Sequence, residues 1–238
     1  MTDVTERARR YYDDFSASYD DGRDRGYHAL IDELEIGIVK PLAAGARVLE
    51  AGCGTGLILD HLTRVAREAV GVDLSPGMLS KARERGLRVV QGSVTALPFA
   101  DESFDLTCSF KVLAHVPELD RALEEMARVT RPGGHVVIEL YNRWSLRYLA
   151  RRAAGARTIG RAHTEADIPT RWHSPREALA ALPGSLEVID VRGVRVITPA
   201  AAVHRTSLAP LVAATERALV GSPLRWFGGF LVVVARRR

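Results

Sequence analysis

Cysteine is nearly absent from this 238-residue chain: Cys53 and Cys108 are the only two. They form no C-x-x-C pair, so neither a disulfide framework nor a metal site is expected. Lysine is as scarce. Lys40, Lys81 and Lys111 are the whole set, and arginine carries nearly all the basic charge. Long apolar runs are also missing. The run at 230–235 is far too short to cross a bilayer, so no membrane insertion is expected. Residues 1–6 carry no apolar stretch and do not read as a secretory signal, which points to the cytoplasm. No internal repeat or low-complexity tract is present. Hydrophobic content of 47% and charged content of 26% fit an ordinary soluble globular chain, long enough for one large or two small domains. A net charge of +4 with pI near 9.3 is mildly basic, but both signs are interspersed, so a nucleic-acid partner is not implied.

From residue 46 onward the chain alternates short apolar strands with helices. Strands are predicted at 46–50, 69–73, 87–91, 104–110 and 135–140, with helices at 57–67, 76–85 and 118–130. Ser75-Pro76 supplies an N-cap and a first-turn proline, and Gly86 ends that helix. In 118–130, Leu119, Ala122, Leu123, Met126, Ala127 and Val129 make one apolar stripe. Pro132-Gly133-Gly134 breaks the pattern before the fifth strand. Strands this apolar, alternating with helices, predict a parallel sheet covered on both faces. After Tyr141 the rhythm is lost. A short helix at 175–182, strands at 186–191 and 230–236, and a helix at 206–220 are expected there. Two further helices, about 4–18 and 27–40, precede the first strand.

Residues 48–56 read Val-Leu-Glu-Ala-Gly-Cys-Gly-Thr-Gly. Glycine permits positive φ and lets a ligand approach backbone that a Cβ would cover. Between a strand and a helix N-terminus, such a turn offers unpaired N–H groups and the positive end of the helix dipole. A small, polar, partly anionic ligand fits. The dinucleotide fingerprint G-x-G-x-x-G fails because Leu57 stands at its third glycine, which disfavours a nicotinamide-dependent oxidoreductase; no P-loop Lys-Ser or Lys-Thr follows either. Asp73 ends the second strand, where a carboxylate can accept from both hydroxyls of a ribose.

This stretch resembles motif I of the class I S-adenosylmethionine (SAM)-dependent methyltransferases, E/D-x-G-x-G-x-G, with Glu50, Gly52, Gly54 and Gly56 at the fixed positions. Ala96-Leu97-Pro98-Phe99, residues 101–105 and residues 128–134 are similar to the small-molecule group of ubiquinone and menaquinone type, also called methyltransferase type 11. The resemblance covers about residues 10–140. It implies a Rossmann-like α/β fold: a seven-stranded, mostly parallel sheet with helices on both faces and an antiparallel C-terminal edge strand. It divides one methyltransferase domain, 1–238, into an N-terminal helical lid (1–40), a SAM-binding core (46–140), substrate-region insertions with late strands (141–228) and a last strand (229–238).

By the resemblance, SAM is the cofactor. Glu50 holds its ammonium, and Gly52, Cys53, Gly54 and Gly56 carry its methionine end. Asp73 takes the ribose, and Leu74, Met78 and Val94 face the adenine. Ser93 stands where many relatives have aspartate. Phe110 and Lys111 end the fourth strand where cofactor and substrate meet, and Tyr19 approaches the sulfonium from the lid. Tyr11, Tyr12, Phe15 and Tyr19 recur at helical spacing, which suits either packing on the sheet edge or a lid. His173 in Arg171-Trp172-His173, His115 and Tyr141 are the catalytic candidates. Arg143, Arg147 and Arg151 recur at i, i+4 and i+8 and predict one charged helix face. That face is a solvated stripe or a handle for an anionic substrate.

The expected activity is methyl transfer to a small-molecule acceptor, on oxygen or nitrogen rather than carbon. It proceeds by in-line displacement driven by proximity and orientation. A base is needed only where the nucleophile must lose a proton. Residues 109–112, Ser-Phe-Lys-Val, lack the Asn/Asp-Pro-Pro-Tyr/Phe of adenine or glutamine N-methylation. The alternatives are an RNA methyltransferase using the Arg-rich face and a SAM-binding protein without turnover. A homodimer is left open.

Overall fold

The computed structural model describes residues 3–154, 158–159, 163–164 and 170–238. Helices α1 (Asp3–Phe15) and α2 (Gly26–Ala43) come first. Then follow β1 (Arg47–Ala51), α3 (Leu57–Thr63), β2 (Glu68–Asp73), α4 (Pro76–Glu84), β3 (Val89–Gln91) and β4 (Phe104–Ser109). The chain continues through α5 (Leu119–Val129), β5 (Thr130–Tyr141), α6 (Leu146–Ala154) and α7 (Pro175–Ala180). It ends with β6 (Leu186–Val194), α8 (Ala209–Leu219) and β7 (Phe230–Arg237). No helix among the described residues is long and apolar enough to cross a membrane.

Among the described residues, one sheet of seven strands runs in the order β3-β2-β1-β4-β5-β7-β6. The first five are parallel, and β7 runs antiparallel to both β5 and β6. The two late strands therefore form the expected antiparallel edge. Within it the C-terminal strand is the inner one, and Leu186–Val194 is outermost. The strand order turns back between β1 and β4, which opens a crevice beyond their carboxyl ends, where open α/β sheets bind ligands.

Side chains alternate between the two faces. Val48 of β1 joins α2, α3 and α4 on one side, while Leu49 joins α5 and α7 on the other. The apolar stripe of α5 is buried throughout. Each such fully buried Leu or Met side chain contributes about 1.5–3 kcal/mol.

Several boundaries differ from expectation for local reasons. Helix α1 stops at Phe15 rather than 18, where Ser16 turns its hydroxyl back onto the Asp13 carbonyl at 2.7 Å. Helix α2 passes through Pro41 to buried Ala43. Helix α3 ends at Thr63 rather than 67. Leu87 leaves β3, because its N–H closes the end of α4 on the Ala82 carbonyl at 3.2 Å. Strand β5 starts at Thr130, before the Pro132–Gly134 break. Thr130 pairs with Phe104 and pairing resumes at His135 opposite Leu106, so residues 131–134 bulge out. Strand β6 runs three residues past 191, to Val194. Ser174 and Glu177 form a capping box on α7, which ends at Ala180 rather than 182.

The α8 region is fixed by a buried carboxylate. Glu216 accepts from the Val196 N–H at 2.7 Å, the Ile197 N–H at 3.0 Å and the Thr198 hydroxyl at 2.6 Å. Glu216→Ala leaves the Val196 and Ile197 N–H groups without their carboxylate, with an expected loss of about 2–3 kcal/mol. Urea denaturation measures it, and an unchanged midpoint contradicts this role.

Candidate functional site

The glycine turn leaves β1 at Ala51 and is pinned to β2. The Val72 carbonyl accepts from the Gly52 N–H at 2.7 Å and the Cys53 N–H at 3.0 Å. The Asp73 carboxylate accepts from the Gly54 N–H at 2.8 Å and the Ser75 N–H at 2.9 Å. The Gly56 N–H bonds the Cys53 carbonyl at 2.9 Å. The expectation of unpaired N–H groups is thus corrected at four of these amides: β2 has taken three, and the turn itself the fourth. The three glycines all have positive φ. A Cβ at Gly56 would meet Leu87 Cδ1 at 2.2 Å, and one at Gly52 would meet Val112 at 2.3 Å, whereas Gly54 faces open space.

A cavity of about 150 Å³ lies against this turn. Glu50 enters its floor, 3% exposed, and its Oε2 has no hydrogen-bond partner. Burial pushes the Glu50 carboxyl well above its ordinary value, and Lys111 only partly offsets this. Burial likewise raises Asp73 against the backbone N–H bonds of Ser75, Gly54 and Leu74. Leu74, Met78 and Val94 make an apolar wall. The Ser93 hydroxyl lines the cavity but also pairs with Thr95.

A second cavity of about 420 Å³ adjoins the first. Tyr12, Tyr19, Arg23, Lys111 and His115 line both. Lys111 sits in left-handed backbone at φ 60° and binds Asp32 and Glu35, each at 2.6 Å. Burial opposes its charge, but Glu35 and Asp32 hold its pKa above the ordinary lysine value. Behind it, Glu35 and Glu139 are buried and hydrogen-bonded to each other; burial raises both carboxyls. Tyr11, Phe15, Tyr141 and Phe230 supply aromatic walls to the second cavity. Burial also raises the phenols of Tyr12, Tyr19 and Tyr141, so these hydroxyls stay protonated.

Residues 49–138 match the family model described as a methyltransferase domain. Over these residues the chain is similar to methyltransferase domains. It is 47% identical over 98 residues to a demethylmenaquinone methyltransferase of Mycobacterium sp. (strain KMS), covering 41% of this chain and 42% of that protein. It is 38% identical over 141 residues to the phosphatidylethanolamine N-methyltransferase of Cereibacter sphaeroides, covering 56% of this chain and 65% of that protein. The chain thus spans about two-fifths to two-thirds of these relatives. A SAM-dependent methyltransferase from Thermotoga maritima shares the fold with a TM-score of 0.73 at 22% identity, over 97% of this chain and 99% of that one.

Every residue expected at the cofactor except Gly56 lines the first cavity. Gly56 instead takes the Leu87 side chain. Over the Tyr19 ring stands a cation, the Arg23 guanidinium, at 4.5 Å. His115 lines both cavities, and Tyr141 lines the second, 5.6 Å from the His115 ring. His173 lines neither. Its backbone bridges the Tyr141 carbonyl and the Arg143 N–H, and burial beside Arg171 lowers its imidazole pKa. The arginine stripe is corrected as well: α6 begins at Leu146, so Arg143 lies outside it and pairs with Glu177 at 2.7 Å, while Arg147 and Arg151 turn to the second cavity.

Sequence reading missed the residues that tie the N-terminal segment to the turn. Asp13 accepts from the Gly77 N–H at 3.0 Å and from the Ser75 hydroxyl. Asp20 accepts from the Thr55 hydroxyl at 2.7 Å and pairs with Arg85 at 2.7 Å. It also missed Glu35, Glu139 and Arg195. Glu139, set in the apolar run Val136-Val137-Ile138, was the one visible signal.

The raised carboxyl of Glu50 has a linkage consequence. Its protonated form is favoured in the fold, so its contribution is present at low pH. That contribution is lost as pH rises from the ordinary 4.5 through the raised value. Glu50→Gln should stabilise the ligand-free domain by about 1–3 kcal/mol at neutral pH and change little at acid pH. Urea denaturation below and above the carboxylate range checks this, and a variant less stable at the higher pH contradicts it.

Proposed function

We propose that this chain transfers a methyl group from SAM to a small-molecule acceptor held in the adjoining aromatic cavity. One observation carries the reading: the buried, unpartnered Glu50 oxygen at the open side of the glycine turn. A buried carboxylate oxygen without a partner is costly, and a ligand ammonium relieves it. Asp73 keeps lone pairs for two hydroxyls after its backbone bonds, since each carboxylate oxygen accepts more than once. Leu74, Met78 and Val94 offer apolar contact to a flat base. These features fit SAM, which supplies an electrophilic methyl on sulfur.

The chain's own task is to position and to keep water out. Tyr12 and Tyr19 close over the region where the two cavities meet, tethered through Asp13 and Asp20. Orienting two reactants in this way supplies several kcal/mol of the barrier reduction. His115, lining both cavities, is the group placed to accept a proton from a hydroxyl or amine nucleophile. Oxygen or nitrogen is therefore the proposed acceptor atom. The relatives are named for two different acceptors, demethylmenaquinone and phosphatidylethanolamine, and share methyl transfer as the named reaction.

Calorimetric titration with SAM and S-adenosylhomocysteine tests the cofactor. Both should bind, and Asp73→Ala should weaken them about tenfold or more. Wild-type protein that binds neither ends the proposal. Methyl-labelled SAM with a panel of aryl alcohols and amines tests the acceptor atom by product mass. His115→Gln should slow transfer while leaving SAM affinity unchanged. An equal loss in both makes His115 a cofactor contact instead.

A further inference from the structure

The second cavity holds two arginines with no carboxylate at salt-bridge distance among the described residues. The Arg195 guanidinium donates to the Thr198 carbonyl, the Tyr27 hydroxyl and the Pro199 carbonyl, each at 2.8 Å. All three acceptors are neutral, and Arg195 is 8% exposed. The Arg147 head lies over Tyr141 at 4.1 Å, Phe230 at 4.4 Å and Trp172 at 4.9 Å. Arg147 bonds the Tyr141 side chain, but its buried Nη1 has no partner. The two stems flank one point: a Cβ at Gly229 would stand 3.2 Å from Cδ of each. Glu139 faces Arg147, and Glu216 faces Arg195, but Glu139 shares a hydrogen bond with Glu35 and Glu216 is spent on residues 196–198.

Two guanidiniums whose stems flank one point repel each other, and burial has stripped hydration from Arg195. Arginine does not escape by losing its proton. The backbone carries a further cost here. Arg195 has φ 64°, and the two strained non-glycine residues that line this cavity are Arg195 and Lys111. Such outliers persist where surrounding structure imposes them and cluster at ligand sites. Aromatic faces around the cations suit a flat partner.

We propose that Arg147 and Arg195 form an anion-binding subsite that takes the carboxylate or phosphate of a planar aromatic acceptor. The proposal rests on the reading that this cavity receives the acceptor. It names a chemical class for that acceptor and a residue pair that selects it. Arg147 is the contact, through its free Nη1, and Arg195 adds fixed positive potential behind it. The aromatic body of the ligand lies among Tyr11, Phe15 and Tyr141.

Calorimetry with naphthoate, naphthyl phosphate and neutral naphthamide tests the subsite, with and without saturating S-adenosylhomocysteine. At least one anion should bind about tenfold or more tighter than the amide. The tighter of the two anions identifies carboxylate or phosphate as the handle. Arg147→Met should abolish that preference, and Arg147→Lys should restore part of it. S-adenosylhomocysteine affinity should be the same in all three proteins, which also reports that the variants are folded. Equal binding of the amide and both anions, no binding of any probe, or a preference that survives Arg147→Met overturns the subsite. Intact cofactor binding in those cases leaves the methyl-transfer reading standing. Wild type that binds the anions but not the cofactor overturns that reading and keeps the subsite.

Discussion

The bond between the Asp73 carboxylate and the Gly54 N–H holds the site together. It joins the end of β2 to the middle of the glycine turn, with the Val72 carbonyl bonding the two amides before it. The turn therefore cannot open without unpairing buried polar groups. Its rigidity fixes where Gly54 exposes backbone and where Glu50 stands at the end of β1. The other Asp73 oxygen bonds Ser75 and so sets the start of α4. Asp13 meets the same helix start, and Asp20 meets Thr55 of the turn, so the N-terminal segment is built onto this one junction.

Charge is divided across the junction. Carboxyls gather on one side: Glu50 in the first cavity, and Glu35 and Glu139 behind Lys111. Arginines gather on the other, in the second cavity. Lys111 lies between, paired to Asp32 and Glu35. Each side carries a buried polar atom without a partner, Oε2 of Glu50 and Nη1 of Arg147. Buried polar atoms left unpaired cost stability. On the proposed readings, the carboxyl side receives an ammonium and the arginine side an anion.

Much of the parallel half was legible beforehand. Apolar strands alternating with capped helices placed β1 to β5, and the stripe on α5 emerged buried as its spacing predicts. Boundaries shifted where a side chain competed with the backbone, as at Ser16, or where a helix end claimed a residue, as α4 claims the Leu87 N–H. The arginine spacing misled because helical periodicity was extended back across residues 143–145, which precede α6. Arg195 gave no local signal at all. Its role arises from Tyr27, 168 positions away, and from a left-handed backbone that only surrounding contacts impose.

The amino-acid order by itself determined the strand and helix rhythm, the glycine turn and the acid at each strand end, because these depend on near neighbours and on periodic burial. Only the tertiary structure decided which amides of the turn remain free, that the last strand lies inside the sheet, and that His115 reaches the cavities while His173 does not. It alone placed Arg147 beside Arg195. The physical reason is that hydrogen-bond partners and like charges are brought together by packing between elements far apart in the chain, and no local spacing records those distances.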